Sequence, residues 1–257
     1  LIAYLIYFLS GLAFGLAELN KTAVDYWHAD GVILNETANK NIYASTIDEK
    51  KLNDLNIDTA NSINLATTSV FLNDSENSDE LIELVFMGVT KENNNLTPPI
   101  VEGREVEADD EITVSNNLKD QVDIKVGDTL KMATTNREFK VVGFTENSNY
   151  NTIPVAYVSR DMASQAMMIF SPSGDNADAV TGPTPNMPTR VSGVVVNGDV
   201  DKSKLADNGL EFITMDEFIN SIPGYMAQIL TFGLMIISLA IISSIIIGIF
   251  MYILTMQ

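Results

Sequence analysis

The order of apolar and charged positions divides the chain into three parts. The stretches Leu1–Ala17 and Ile222–Gln257 contain no charged residue, whereas charged residues are frequent between them. A helix needs about 20 apolar residues to cross the hydrocarbon core of a bilayer, and the second stretch has residues to spare. We expect both stretches to form transmembrane helices, the first of which is truncated because the sequence begins abruptly at Leu1.

A secretory signal peptide is the alternative for Leu1–Ala17, because such peptides also have a short apolar core near the N-terminus. No charged segment precedes the apolar residues, and the sequence after Ala17 lacks a clear small-residue cleavage pattern. Both observations favour a membrane span.

The middle of the chain carries the patterns of short strands and turns. Apolar residues at helical spacing between Leu19 and Asp30 predict that the first helix continues out of the bilayer until Gly31 ends it. After Gly31, alternating or β-branched apolar runs predict strands, bounded by turns rich in Asn, Asp, Ser and Pro. Short helices are predicted at Asp48–Leu55 and Asp216–Ile222. The predicted strands are Gly31–Leu34, Ile42–Ser45, Ile63–Leu72, Leu81–Val89, Ile112–Ser115, Thr129–Met132, Phe139–Phe144 and Val191–Val196.

The patterns together predict an α+β domain between two transmembrane α-helices. The first helix and its extension cover residues 1–30, the domain covers residues 31–221, and the second helix covers residues 222–257. Within the domain, Ser171–Pro188 is rich in Pro, Gly, Asn and Asp and has no apolar periodicity. We expect a mobile excursion there, because the segment buries too little apolar area to offset the entropy of ordering.

The charge distribution predicts that the domain is extracellular. Every charged residue lies between Glu18 and Glu217, so the net charge of −19 belongs to this part of the chain. Such a charge opposes binding to nucleic acid and to an anionic cytoplasmic membrane face. No dense Lys/Arg cluster flanks either apolar stretch, although cytoplasmic loops are usually rich in Lys and Arg. The chain has no Cys, so an apolar core must stabilise the domain without disulfides.

A series of short motifs narrows the fold from Val101 onwards. In order they are VEGR, DEITVSNNLKD, KVGDTLKM, REFKVVGF and PVAYVSRDM. Gly103, Gly127 and Gly143 fall where the backbone must turn or approach another segment closely, and FKVV supplies β-branched strand residues. The order and spacing of these motifs resemble the extracytoplasmic core domain of the MacB/FtsX family of ABC-transporter permeases. The resemblance implies a MacB-like periplasmic core with an inserted subdomain.

The two ends of the chain extend this resemblance. Within that family, haem-exporter permeases of Gram-positive bacteria, the HrtB group, have first and second spans similar to LIAYLIYFLSGLAFGLAELNKTAVDYW and IFMYILTMQ. The resemblance implies a multi-pass cell-membrane permease that contacts lipid, forms a homodimer, binds a separate cytoplasmic ABC ATPase and exports haem. It also implies mechanotransmission, in which approach of the ATPase subunits rocks the helices and the outer domains follow.

Motifs for nucleotide binding or hydrolysis do not occur in the chain, which lacks G-x-x-x-x-G-K-[ST], G-x-S-x-G and H-E-x-x-H. We therefore expect the chain not to be an enzyme and to have no intrinsic cofactor. ATP would be hydrolysed by the partner subunit, and haem would be a transported ligand.

Candidate haem contacts follow from the residue types that ligate haem iron, which are His, Cys, Met and Tyr. Cys is absent and His28 stands alone, so Tyr and Met are the available types. Tyr225 and Met226 lie where the domain meets the second span, and Tyr150 and Tyr157 lie in or beside predicted strands. The alternative is that all of them are packing or interfacial residues.

Two features of the first apolar stretch add further candidates. Glu18 directly follows the apolar residues, at the outer membrane boundary, where an unpaired carboxylate is costly. It is either a contact for cargo between protomers or a solvated helix end. Gly11 and Gly15 have the G-x-x-x-G spacing that permits close helix packing, a pattern that is also common by chance.

Two other hypotheses about function stay open. Within the same family, the cargo could be a lipoprotein or an antimicrobial peptide, or the permease could control a cell-wall hydrolase. From another class, the chain could be a two-span receptor that only binds a ligand outside the cell. Chemistry alone does not identify the cargo, and haem rests on the family resemblance.

Overall fold

The structure is a computed structural model that describes residues 2–72, 81–90, 94–135, 137–164 and 190–256. The predicted excursion Ser171–Pro188 lies outside the described residues. The described helices are Ile2–Glu18, Thr22–Asp25, Glu49–Asp54, Lys202–Ala206, Met215–Ser221 and Pro223–Thr255, with 3₁₀ turns at Glu36–Ala38, Asn94–Leu96 and Asn116–Asp120. The described strands are β1 Gly31–Asn35, β2 Ile47–Asp48, β3 Ser62–Leu72, β4 Ile82–Val89, β5 Ile100–Gly103, β6 Glu111–Ser115, β7 Thr129–Met132, β8 Glu138–Thr145, β9 Asn149–Tyr150, β10 Ile153–Ser159, β11 Arg190–Val191, β12 Gly193–Val196 and β13 Leu210–Thr214.

Most strands belong to one mixed sheet with the order β13-β1-β12-β3-β4-β10-β6-β8-β5. β10 runs parallel to β4 and β6 runs parallel to β8, whereas the other pairs along this path are antiparallel. β7 pairs with both β3 and β8, so β3, β4, β10, β6, β8 and β7 close into a ring. The predicted α+β class is confirmed, with a small barrel at the centre of the domain.

The described residues form three apolar cores. Inside the ring, Phe86 and Phe139 pack edge to face with their ring centroids 5.4 Å apart. Successive side chains of a strand point to opposite faces, so in β10 Val158 enters the barrel core while Tyr157 enters a second core that also holds Trp27. The third core packs β1, β12 and β13 against the short helices of the domain.

The strand and helix predictions for the domain are largely confirmed. Ile112–Ser115, Thr129–Met132 and Phe139–Phe144 correspond to β6, β7 and β8 within one residue at each end. The predicted helices Asp48–Leu55 and Asp216–Ile222 are also present, the first with Asp48 as its N-cap and the second with a capping box. Local alternation and capping signals therefore predict these elements correctly.

The predicted strand at Ile42–Ser45 is wrong, because this segment forms turns. Asn39 and Lys40 adopt left-handed backbone conformations with φ of +50° and +63°, which reverse the chain before Ile42. Ile42 is 1% exposed and belongs to the second core. Ile42 therefore anchors a loop to the core and does not belong to a strand.

The turn after β5 depends on a glycine and an ion pair. Gly103 has a φ of +80°, and a Cβ there would lie 2.3 Å from the Val142 carbonyl oxygen, so a side chain does not fit. The Arg104 guanidinium donates to both carboxylate oxygens of Glu111, which also accept two backbone N–H groups. The hydrogen bonds from Arg104 and from the backbone lower the pKa of Glu111 to about 2.

We expect acid to weaken this turn through protonation of Glu111. The pKa of Glu111 in the folded chain lies below the ordinary value of 4.5. The ionised carboxylate therefore stabilises the fold above that pH, and this stabilisation is lost as the pH falls toward about 2. Glu111→Gln should lower the urea concentration at the unfolding midpoint at neutral pH. Between pH 4.5 and about 2, this midpoint should change less with pH in the variant than in the parent. The fluorescence of Trp27, which is 2% exposed, reports unfolding of the chain in detergent.

The matched control is Asp54→Asn, an exposed acid at the end of a short helix. This variant should keep the parent's acid dependence. An acid dependence of Glu111→Gln as steep as that of the parent would contradict the prediction.

Candidate functional site

The two apolar helices lie side by side and meet the domain at one end. Ile2–Glu18 has 17 residues and Pro223–Thr255 has 33 residues, lengths of about 25 Å and about 50 Å. Within the described residues, Pro223–Thr255 is the helix that is long and apolar enough to cross a bilayer. Ala13 and Ala17 of the shorter helix are 9% and 3% exposed, because the longer helix packs against this small-residue edge.

Asn20 joins the two helices to each other. Its Nδ2 group donates to the carbonyl oxygens of Leu16 and Ala17 at 3.1 and 3.2 Å, which caps the last turn of the first helix. The same group donates to Gln228 Oε1 of the second helix at 2.9 Å. Asn20 is fully buried, so loss of these bonds would leave polar groups without partners away from water.

This arrangement corrects the prediction of a continuous helix through Leu19–Asp30. The helix ends at Glu18, and helical structure returns only for one turn at Thr22–Asp25. Because Asn20 satisfies the terminal carbonyl groups of the first helix, the chain turns toward the domain instead of following the helix axis.

Gly224 allows the second helix to approach Asn20 closely. A Cβ at Gly224 would lie 2.2 Å from Asn20 Oδ1 and 2.5 Å from Asn151 Oδ1, both far below van der Waals contact. Pro223 occupies the first helical position, where its missing N–H leaves no bond unmade. Pro223–Gly224 is therefore the start of the helix, placed against the domain.

A hairpin of the domain completes this junction. Asn151 and Thr152 form the two-residue turn between β9 and β10, with φ of +52° and +68°. The Asn151 N–H donates to the Asn20 carbonyl oxygen at 2.9 Å. The Asn149 N–H donates to Thr22 Oγ1 at 2.7 Å. The hairpin thus binds the segment after the first helix at two points.

Further polar contacts lead from the hairpin into the barrel. Asn117 Nδ2 donates to Asn149 Oδ1 at 2.7 Å. The Ser115 hydroxyl donates to Asn117 Oδ1 and accepts the Ser148 N–H at 2.7 Å. Since Ser115 ends β6, hydrogen bonds connect the segment after the first helix with a strand of the closed ring.

Apolar packing at the junction centres on Trp27. Its ring stacks on Phe218 with a centroid distance of 5.5 Å, and Phe218 lies 6.5 Å from Tyr150. Ile222, which directly precedes the second helix, is 1% exposed and packs in the same core. Trp27 therefore lies against the domain.

Three of the predicted haem contacts lie at this junction. Glu18 is the last residue of the first helix, and its carboxylate pairs with Lys21 Nζ at 2.6 Å. Tyr225 and Met226 lie in the first turn of the second helix, two or three residues before Gln228. Tyr225 packs partly buried against the second core, whereas Met226 is 38% exposed.

The other two predicted contacts, Tyr150 and Tyr157, are interior residues. They are 2% and 1% exposed, and burial raises the pKa of both hydroxyl groups. The Tyr157 hydroxyl lies near that of Ser148, and neither makes a hydrogen bond of good geometry within the described residues. In this arrangement both rings pack in the second core, so a large macrocycle reaches them only if that core opens.

Gly11 and Gly15 do not pack against the second helix. A Cβ at either position would meet nothing within 4 Å. Ala13 and Ala17 form the close contact between the helices instead. Their spacing in the chain equals that of Gly11 and Gly15, and each lies two positions later. The face that carries Gly11 and Gly15 is left open.

The residues that sequence reasoning missed are two amides and a glycine, all of them uncharged. Asn20, Gln228 and Gly224 build the junction. The sequence feature that comes nearest to indicating this junction is an amide side chain at the edge of each apolar stretch. In a membrane environment such groups find partners on neighbouring helices. Within the described residues, no group of three or more His, Asp or Glu side chains could hold a metal ion.

Comparison with known proteins gives relatives over the whole chain. No known family profile matches. The chain is 24% identical over 258 residues to a Staphylococcus haemolyticus (strain JCSC1435) protein provisionally named hemin transport system permease protein HrtB. It is 22% identical over 259 residues to the Staphylococcus epidermidis (strain ATCC 12228 / FDA PCI 1200) protein of the same provisional name. Each alignment covers 100% of this chain and 66% of the relative, so the chain spans about two thirds of their length. The predicted resemblance to HrtB permeases is confirmed.

Two solved structures are similar to parts of the chain. The periplasmic region of MacB from Actinobacillus actinomycetemcomitans aligns with 11% identity and a TM-score of 0.45, over 76% of this chain and 92% of that structure. The extracellular domain of the noncanonic ABC-type transporter YknZ from Gram-positive bacteria aligns with 13% identity and a TM-score of 0.44, over 72% of this chain and 100% of that structure.

We expect Gly224→Ala to destabilise the junction, although alanine is the better helix former. The new methyl group must displace Asn20 or Asn151, and overpacking of this kind costs about 2 kcal/mol. Urea unfolding in detergent, followed by the fluorescence of Trp27, measures the change. Gly233→Ala is the control, because a Cβ there meets nothing within 4 Å. Equal midpoints for the two variants would contradict the expectation.

Thr152→Gly should stabilise the chain. Thr152 is β-branched and has a φ of +68°, a conformation that is strained for such a residue and natural for glycine. We expect the substitution to raise the free energy of unfolding by about 1 kcal/mol, after subtraction of the entropy that glycine adds to the unfolded chain. Thr152→Asn, which tolerates the same conformation, should show a smaller gain in the same urea titration. A lower midpoint for both variants would show that the turn is not strained.

Proposed function

We propose that this chain, a relative of HrtB permeases over its whole length, is the permease subunit of an ABC exporter that removes haem from the membrane. The observation that carries the proposal is that the 24% identity extends over both apolar helices and the domain between them. Hemin transport is the activity named for these relatives. A separate cytoplasmic ATPase supplies the energy, since the chain has no motif for nucleotide binding.

In this proposal the acidic domain lies outside the cell and both apolar helices are membrane spans. The net charge of −19 keeps the domain away from the anionic cytoplasmic leaflet. Two copies of the permease form a homodimer, so that their first and second spans line a cleft open to the outer leaflet. Such a cleft offers an apolar interior with polar groups at its rim, which suits a flat macrocycle with an iron and two propionates.

The residues proposed to contact haem are Tyr225, Met226 and Glu18. Met226 is exposed at the level where the spans leave the membrane, and Tyr225 is next to it in the same helical turn. The Lys21 ammonium, paired with Glu18 at 2.6 Å, adds a cation that a propionate could engage after the pair opens. Tyr150 and Tyr157 rank behind these residues because both are buried.

The test is a haem titration of the full-length permease in detergent, followed by absorption, together with a haem-tolerance assay in cells. The triple variant Tyr225→Phe, Met226→Leu and Glu18→Gln should weaken haem binding at least tenfold and lower tolerance, with expression unchanged. The reason is that both iron ligands and the neighbouring carboxylate are removed while the shapes are kept.

The matched control is Tyr252→Phe with Met251→Leu, which makes the same tyrosine and methionine changes near the other end of the second helix. This variant should bind haem like the parent. A triple variant with an unchanged spectrum and full protection would locate the cargo site elsewhere. A parent that neither binds haem nor protects cells would overturn haem as the cargo.

A further inference from the structure

We infer that Asn20 is a positioning residue that makes the outer ends of both spans and the outer domain move as one body. The inference rests on the proposed function as a permease, but not on the identity of the cargo. It follows from how many separate parts of the molecule one buried residue joins.

Three parts of the chain converge on Asn20. Its side chain caps the first helix and donates to Gln228 of the second helix at 2.9 Å. Its carbonyl oxygen accepts the N–H of Asn151, at the tip of the β9–β10 hairpin, at 2.9 Å. Gly224 of the second helix packs directly on its Oδ1 atom. Displacement of any one part therefore disturbs the contacts of the other two.

The contacts at Asn20 leave no room for adjustment. Asn20 is fully buried, and its Oδ1 atom has no hydrogen-bond donor within the described residues. A rotation of the amide would break the bond to Gln228, and water cannot replace it at a buried position without a cavity. The second helix has no room to move toward Asn20 either, because Gly224 already packs so closely that a Cβ there would lie 2.2 Å from Asn20 Oδ1.

Farther along the two helices, the described polar side chains bond within their own helix. Ser10 donates to the Ile6 carbonyl oxygen at 2.8 Å and Ser243 donates to that of Leu239 at 2.6 Å, each within its own helix. In the described part of the chain, the Asn20–Gln228 bond is the side-chain hydrogen bond that joins the two helices. Small apolar contacts, which permit sliding and tilting, hold the remainder together.

This asymmetry determines where the spans can separate. Their outer ends are fixed to each other and to the domain, whereas farther along the first helix the two are held together by apolar packing alone. A displacement imposed by an ATPase at the inner ends therefore tilts the pair about the junction and carries the domain with it. Cargo leaves between two copies of the permease, not between the two spans of one copy.

The first experiment measures coupling in the full permease reconstituted with its ATPase. Gln228→Ala removes the bond between the helices but keeps the Asn20 cap, and Asn20→Ala removes both. We expect both variants to lose at least fivefold in cargo exported per ATP hydrolysed, with ATP hydrolysis within twofold of the parent. The exchanged pair Asn20→Gln with Gln228→Asn should recover part of the export, which a purely structural loss would not allow.

Ser243→Ala is the matched control, since its hydroxyl bonds only its own helix, and it should export like the parent. If Asn20→Ala lowers export while Gln228→Ala does not, helix capping explains the effect and the inference is wrong. Full coupling in both variants would also overturn it.

The second experiment measures distances and needs no cargo. The chain has no Cys, so pairs of introduced cysteines carry spin labels with no labelling background from its residues, and any Cys elsewhere in the assembled transporter is first replaced by Ser. Leu19→Cys with Ile229→Cys labels the outer ends, and Tyr4→Cys with Ile245→Cys labels the inner ends, all at exposed positions. Between the nucleotide-free and ATP-trapped states, the outer distance should change by less than about 2 Å, the size of an ordinary helix shift, and the inner distance by more.

In the Gln228→Ala background, the distribution of distances between the two outer labels should broaden in both the nucleotide-free and the ATP-trapped state. An outer pair that separates as far as the inner pair would overturn the inference. This outcome is distinct from failure of the proposed function, in which the parent itself shows no export and no response to ATP at either pair.

Discussion

A buried amide that has to form its hydrogen bonds within the protein determines how this chain connects its apolar helices to its domain. Asn20 donates to the end of one helix and to the side of the other. Because its bonds satisfy the last carbonyl groups of the first helix, that helix stops at Glu18 and the chain turns. The turn presents the Asn20 carbonyl oxygen to the hairpin at Asn151, and only glycine fits at position 224 opposite.

The energetic character of this junction differs from that of the cores around it. Apolar contacts such as Trp27 on Phe218 contribute free energy with little directional preference, so they tolerate small shifts. A buried polar network is stable only when nearly every group has its partner, and a small displacement leaves several groups unsatisfied. The cores thus supply most of the stability, whereas the chain of bonds from Gln228 through Asn20 to the hairpin defines one geometry.

The same distinction explains what could be predicted from the sequence. The strands at Thr129–Met132 and Phe139–Phe144 were predictable because alternation of apolar residues is a local signal. The ring that they help to close was not, since β7 must pair with two strands distant in sequence. The Asn20–Gln228 bond joins residues 208 positions apart, and no local pattern encodes it. Tyr150 and Tyr157 show the converse limit, because residue type marks both as candidate ligands and carries no information about the tertiary packing that buries their rings.

The position of the hairpin explains why a contact at one edge can move the entire domain. β10 carries the hairpin and pairs with β4 on one side and β6 on the other. Both neighbours belong to the closed ring, whose strands have no free edge. A force applied at Asn151 is therefore distributed over the ring and does not separate one strand from the next. The second core adds the helix Met215–Ser221, which leads directly into the second apolar helix through Ile222. Two routes therefore connect the apolar helices to the barrel, the hairpin bound at Asn20 and the packing of the second core, so a displacement of the helices acts on the domain at both places.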